Sequence, residues 1–282
     1  MLTATSESRI GNAAMQTTLV FERQVRATVV RRQRLAYDTR FAAAASGKPE
    51  PVGHVFMIVT GRFAPAVGEA VDGPVAIVLA DDEIERVGAK SRTFRTDGER
   101  VDVIHMRFER SELTAPIGLA AGQLALAPEC WDAARALIDG TTTFGALIDT
   151  LAASGVTKGS VAIEANEPER YRRLWEALQP LYQTYGGTAS LKQLANSLNM
   201  SMRQVGRDAK ELAGTFGFGH GYRDALLVLR LRTAALLLSA PEGTVAEVAS
   251  AVGYGSPIAM ARAFRDAKLP APSAVQAALR GE

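Results

Sequence analysis

The sequence predicts an α+β chain of two domains: a cupin-like β-barrel or sandwich with trailing helices, then an all-α domain of two helix-turn-helix units joined by a long helix. Three observations carry this expectation. Apolar residues come in short runs broken by Gly, Pro and Asp up to about Phe108, and at helical spacing after Pro128. The chain has 282 residues, a length for about two domains. Four stretches with helix-start chemistry fall as two pairs within the last hundred residues.

Composition bounds the classes. The chain is 47% hydrophobic and 22% charged with a mean hydropathy of +0.02, so both parts bury real cores. That excludes a disordered chain, a collagen and a disulfide-stapled scaffold. Cys130 is the only cysteine, so neither an intrachain disulfide nor a thiolate zinc cage can form. No apolar stretch approaches the ~20 residues of a membrane helix, and no basic start precedes an apolar run. A cytoplasmic location is therefore expected. The net charge of +2 hides an asymmetry: from Gly186 onward there are 11 Lys+Arg against 7 acids, a charge of +4, while the remainder carries −2. A basic back part suggests a polyanionic partner.

Residues 1–16 are small and polar without a period and read as a flexible tail. The first domain is expected over residues 17–185. Val55–Val59 and Val75–Leu79 read as strands. Val101–Phe108 alternates, with Ile104, Met106 and Phe108 on one face and His105, Arg107 and Glu109 on the other. Ala42–Gly53 reads as a loop. Cys130–Ile138 and Phe144–Leu151 form short helices, and Glu167–Tyr185 a longer one, with Pro168 in its first turn and Pro180 as a kink. The apolar stripes of these helices serve either dimer contacts or the cover of the barrel. His54 and His105 are far apart in sequence and form no His-x-His cluster, so no metal site is expected; His105 reads as a surface residue, and His54 as a surface residue with a barrel mouth as the alternative. Phe56, Ile58, Ile104 and Met106 read as barrel core, with a pocket as the alternative. Cys130 beside Trp131 reads as packing.

The second domain is expected over residues 186–282. Ser190-Leu-Lys-Gln193 and Ser201-Met-Arg-Gln204 are S-x-x-Q, Thr244-Val-Ala-Glu247 is T-x-x-E, and Ser256-Pro257 sets a capping serine before a first-turn proline. In each pair a helix with a small residue (Ala195, Ala249) turns through Asn199-Met200 or Gly253-Tyr254-Gly255 into a second helix. A helix fits the major groove and presents its first turns to base edges. On the first such helix Arg203 and Arg207 share a face with Gln204 beside them, while Val205 points inward. Arginine pairs with guanine in a bidentate manner, and glutamine does the same with adenine. The second carries Arg262 and Arg265 but is otherwise apolar, suited to thymine methyl groups and phosphate. Tyr222–Leu238 between the units spans roughly 26 Å as a helix, which suits successive major grooves on one DNA face.

Ser190–Val275 resembles the DNA-binding domain of the AraC/XylS family of bacterial transcription regulators. The matching residues are Val245-Ala-Glu-Val-Ala249, Val252-Gly-Tyr-Gly-Ser256, Arg262-Ala-Phe-Arg265 and Pro272-Ser273. Leu194-Ala195, Ser201 and Arg207 match in the first unit, and Leu229-Arg230-Leu231, Ala234-Ala235 and Leu237-Leu238 match the connecting helix. The resemblance implies base reading by Arg203, Gly206 and Arg207 in the first unit and by Pro257, Ile258, Ala261 and Arg262 in the second. It also implies a cupin-like front domain that senses a small-molecule effector and dimerises.

The function expected is sequence-specific binding of double-stranded DNA through Ser201, Arg203, Gln204, Gly206, Arg207, Ser256, Pro257, Ile258, Ala261, Arg262 and Arg265 by a homodimer. No enzyme, catalytic residue or cofactor is expected. Two other classes compete. A protein–protein regulator that keeps the fold but reads DNA weakly would show a stable partner and select no motif. A cupin-type enzyme would require a bound metal.

Overall fold

The computed structural model describes residues 1–22, 25–41, 52–84, 94–118, 122–159, 169–184, 190–216 and 221–281. The boundary at Gly186, Pro168 and most of the expected 42–53 loop lie outside them.

The chain begins in strand, not in a tail. β1 (Leu2–Ile10) and β2 (Ala13–Glu22) pair antiparallel across a two-residue turn, with Gly11 in the left-handed region at φ +54°. The tail reading failed because the inward positions of β1 include small residues, Ala4 and Ser6, which give little hydrophobic signal. They are buried by helices that follow much later in the chain. The Gly11-Asn12 pair between two runs was the available hairpin signal.

β3 (Val25–Gln33), β4 (Tyr37–Asp38), β5 (Val52–Pro65), β6 (Val71–Asp72), β7 (Val75–Ala80) and β8 (Phe94–Glu109) complete one antiparallel sheet. Its order is β1-β2-β3-β8-β5-β6, with β7 on β5 and β4 on β8. A short helix, α1 (Asp81–Ile84), follows β7 directly.

Both faces of the sheet are covered, and the alternation along β8 shows how. Ile104, Met106 and Phe108 join Val55, Met57 and Val78 under α2 (Pro128–Ile138) and α3 (Phe144–Ala153), which contribute Cys130, Ala134, Phe144, Leu147 and Leu151. Cys130 is fully buried, its Sγ 3.0 Å from Ser154 Oγ. The opposite face turns Phe56, Ile58, Phe94, Val101 and Val103 inward. α4 (Glu169–Thr184) runs on through Pro180 and lays Tyr171, Leu174, Trp175 and Leu178 against Leu2, Ala4, Leu19 and Phe21. Trp175 Nε1 and Gln179 Nε2 both donate to the Thr3 carbonyl, at 2.8 and 2.9 Å. The apolar stripes of α2, α3 and α4 thus cover the sheet.

The remaining helices are α5 (Leu191–Ser197), α6 (Met202–Phe216), α7 (Tyr222–Leu237), α8 (Val245–Ala251), α9 (Pro257–Asp266) and α10 (Pro272–Arg280). They dock on the sheet through the tip of the first hairpin. Ile10, Ala13 and Met15 share one core with Leu231, Ala235, Leu238, Val248 and Phe264. Each large apolar side chain so buried contributes ~1.5–3 kcal/mol.

Candidate nucleic-acid interface and the cavity behind it

The two helix pairs are built alike. Ser190 and Thr244 each close a complete capping box with Gln193 and Glu247. The hydrogen bond from the Thr244 backbone holds the Glu247 carboxyl below the usual carboxylate range. In the first turn the Met200 amide donates to the Ala195 carbonyl at 3.0 Å; in the second the Tyr254 amide donates to Ala249 at 2.8 Å. Asn199 (φ +51°) and Gly253 (φ +78°) take the left-handed position that such a turn requires. Ser201 Oγ accepts from the Gln204 amide and Ser256 Oγ from the Ala259 amide, each at 3.2 Å. Pro257 begins α9.

These caps fix which side of each second helix faces out. In α6, Val205, Ala209 and Leu212 are buried, which leaves Ser201, Arg203 and Arg207 exposed and Gly206 half-buried. Gln204 Nε2 donates to both carboxylate oxygens of the buried Asp208, at 2.8 and 3.0 Å, and its Oε1 accepts from Arg207. The amide that the sequence assigns to adenine is therefore engaged at both ends, and it holds Arg207 in place. In α9, Met260 and Phe264 are fully buried. Pro257, Ile258, Ala261, Arg262 and Arg265 are exposed and Ser256 is half-buried. Arg203 and Arg262 make no ion pair or hydrogen bond among the described residues.

Behind this surface, α7 closes a cavity against the inner face of the sheet. Leu229, Arg232, Thr233 and Leu236 form one wall; β2, β3, β5 and β8 form the other with Met15, Leu19, Val30, Arg32, Phe56, Phe94, Val103 and His105. The cavity has a volume of ≈ 120 Å³, room for about four waters. Arg32 is 2% exposed. Its Nη2 donates to Thr96 Oγ1 at 2.6 Å, and its Nε and Nη1 have no hydrogen-bond partner among the described residues. Burial lowers its pKa to about 10, against the raising influence of Tyr37, Asp102 and Asp97, so it stays charged at neutral pH.

A chain of hydrogen bonds leads from the cavity wall into the sheet. His105 Nε2 lies 2.8 Å from His54 Nδ1, and His54 Nε2 lies 3.0 Å from Asp81 Oδ1. The His105 ring stacks on Phe56 at 4.2 Å, nearly parallel. Burial first, then the charges of Arg26, His54, Arg232 and Arg107, holds His105 well below an ordinary histidine. From sequence His105 reads as a surface residue and His54 as lining a barrel mouth or lying at the surface; His54 is buried, 1% exposed, and His105 is half-buried at the cavity wall. Strand alternation alone could not say which face of β8 is wet, because both are covered. Phe56 lines the cavity, whereas Ile104 and Met106 pack under α2 and α3. Arg32 and Arg232 were not singled out from sequence at all.

Comparison with known proteins agrees with this geometry at the C-terminal end. A family model described as a helix-turn-helix domain matches residues 194–278. Those residues are an AraC-type helix-turn-helix domain. A search of curated protein sequences finds no match. Among solved structures, ToxT from Vibrio cholerae is 12% identical with a TM-score of 0.38, over 89% of this chain and 97% of that one. CuxR, titled an AraC-like transcriptional activator, is 12% identical with a TM-score of 0.29, over 78% and 80%. An RmlC-like cupin from Shewanella frigidimarina is 12% identical with a TM-score of 0.22, over 37% and 84%. The AraC-type domain supplies the α7 wall of the cavity as well as the two exposed helices, α6 and α9. Among the described residues no helix is long and apolar enough to cross a membrane, and no group of three or more His, Cys, Asp or Glu is placed to hold a metal ion.

Proposed function

We propose that the chain is a sequence-specific DNA-binding transcription regulator, a homodimer whose hold on DNA is adjusted by a small molecule seated between the sheet and α7. Ser201, Arg203, Gly206 and Arg207 form the reading edge of the first unit, with Gln204 bracing Arg207. Ser256, Pro257, Ile258, Ala261, Arg262 and Arg265 form that of the second. The observation that carries the reading is the double role of α7. Leu231, Ala234, Ala235 and Leu238 join α8 and α9 in one core, while Arg232, Thr233 and Leu236 face the cavity. A ligand that shifts α7 shifts the second unit relative to the first. Dimerisation doubles the phosphate and base contacts and the specificity. The sensing domain extends from β1 through α4, and the DNA-binding domain begins near Ser190.

The test is selection of bound fragments from random duplex DNA at ~150 mM salt, with wild type beside Arg203→Ala/Arg207→Ala. An enriched motif that the variant fails to enrich supports the reading, and a palindromic or repeated motif supports the dimer. A second reading, a protein–protein regulator with weak DNA reading, is favoured by one observation: Ile258, at the start of α9, is 75% exposed. It predicts a stable protein partner and no enriched motif.

A further inference from the structure

We propose that the second unit reads the C5 methyl group of a pyrimidine in the major groove through Ile258, without regard to the hydrogen-bonding edge of that base, so that thymine and 5-methylcytosine are equivalent to it. This deepens the regulator reading above and rests on it.

The two reading helices match in register. Ser201 and Ser256 cap them in the same way, each Oγ accepting from the amide three residues on. Val205 and Met260, four residues after those serines, are buried, and so are Ala209 and Phe264, eight residues after them. Arg203 in α6 therefore corresponds to Ile258 in α9, Gln204 to Ala259, Gly206 to Ala261 and Arg207 to Arg262. Where the first unit offers a guanidinium, the second offers a branched hydrocarbon that is 75% exposed.

The chemistry of that position decides what it reads. Pro257, Ile258, Ala259 and Ala261 are the exposed side chains between Ser256 and Arg262, and none carries a donor or an acceptor. The Ser256 hydroxyl is engaged as the cap. Among the groups that the base pairs present in the major groove, the C5 methyl of thymine is the apolar one, and burying it against a hydrocarbon is favourable. 5-Methylcytosine carries the same methyl on the same ring carbon, and its exocyclic amine in place of the thymine carbonyl meets no polar side chain at the start of α9. The neighbouring charge favours DNA as what covers Ile258. Arg262, one turn on and on the same face, makes no ion pair or hydrogen bond among the described residues. Ala259 cannot hold it as Gln204 holds Arg207. Its guanidinium suits the phosphate beside the methyl, and Arg265 adds a second exposed cation on the helix. A protein groove over Ile258 would have to take in that charge as well.

The experiment is fluorescence-anisotropy titration of the full-length protein with the selected duplex, each thymine replaced in turn by deoxyuridine, which lacks only the methyl. At one thymine the replacement should weaken binding about fourfold, the worth of one buried methyl. Exchanging that T·A pair for 5-methylcytosine·G and for C·G should give the same factor between methylated and plain cytosine. Ile258→Ala should erase both factors, with an unchanged thermal midpoint because the side chain is exposed. Ile258→Arg, which copies the corresponding position of α6, should select a guanine-containing pair at that step instead. The proposal is overturned if deoxyuridine is tolerated at every thymine, if methylated cytosine gains nothing over plain cytosine, if either factor persists in Ile258→Ala, or if Ile258→Arg selects the same base. Any of these, with a motif in hand that Arg203→Ala/Arg207→Ala loses, leaves the regulator reading intact. A selection that yields no motif overturns both.

Discussion

Replacing Arg32 by methionine should make the ligand-free protein more stable. The perturbation removes a fully buried charge and keeps most of the side-chain volume. A guanidinium held at about 10 instead of 12.5 is disfavoured in the folded state by about 3 kcal/mol. The sign is fixed by the direction of the shift. At pH 7 the group is charged in both folded and unfolded chains, so the full cost is present. Against this, Thr96 Oγ1, completely buried, loses a charge-assisted bond of 2.6 Å, worth about 2 kcal/mol. The net gain is about 1 kcal/mol, or roughly 2–4 °C in the thermal midpoint of a chain this long. The assay is thermal denaturation of dialysed wild type and Arg32→Met, followed by circular dichroism. A midpoint lowered by 4 °C or more would mean that Arg32 is satisfied in the ligand-free fold, and the electrostatic reasoning for the cavity would fail.

Three further outcomes are expected. His105 titrates well below 6.5 in the folded chain, so the unfolded chain takes up its proton first as the pH falls. The stability it confers is complete above pH 6.5 and lost below it, and His105→Asn should flatten the fall by up to ~1.4 kcal/mol per pH unit in urea midpoints between pH 7 and 5; parallel curves would contradict this. Gln204→Leu strips two hydrogen bonds from the buried Asp208 and should cost ~1–3 kcal/mol in urea denaturation, with an unchanged midpoint as the adverse result. A Cβ at Gly243 would stand 2.6 Å from Ile10 Cγ2 where the hairpin tip meets the helical domain. Gly243→Val should therefore lower stability by ~1–3 kcal/mol and increase amide exchange in β1, and wild-type exchange there would argue against the docking.

The helical domain was legible because its information is local. Four caps, two left-handed turn positions and a connecting helix are each specified within a few residues, and the structure repeats them nearly residue for residue. The strands at 55–59, 75–79 and 101–108 were legible for the same reason, through apolar runs and alternation. What escaped depends on contacts far apart in the chain. Leu2 and Ala4 become core only because Trp175 and Leu178 lie on them. His54, Asp81 and His105 meet only because β5 pairs with both β7 and β8. Arg32 is one arginine among several in its stretch of chain, and α7 docks over the cavity it lines. The exposed faces of α6 and α9 were thus nameable from sequence, while the cavity behind them was not.

The most direct test of the account is methylation protection of guanine N7 on a selected duplex, since that atom lies in the major groove. Two helix-turn-helix units held by α7, ~24 Å long for its 16 residues, should protect two short tracts about 10 base pairs apart on one face. Arg203→Ala should weaken protection of one tract and leave the other in register. A single protected tract, or protection that ignores Arg203, would contradict tandem reading by these two helices.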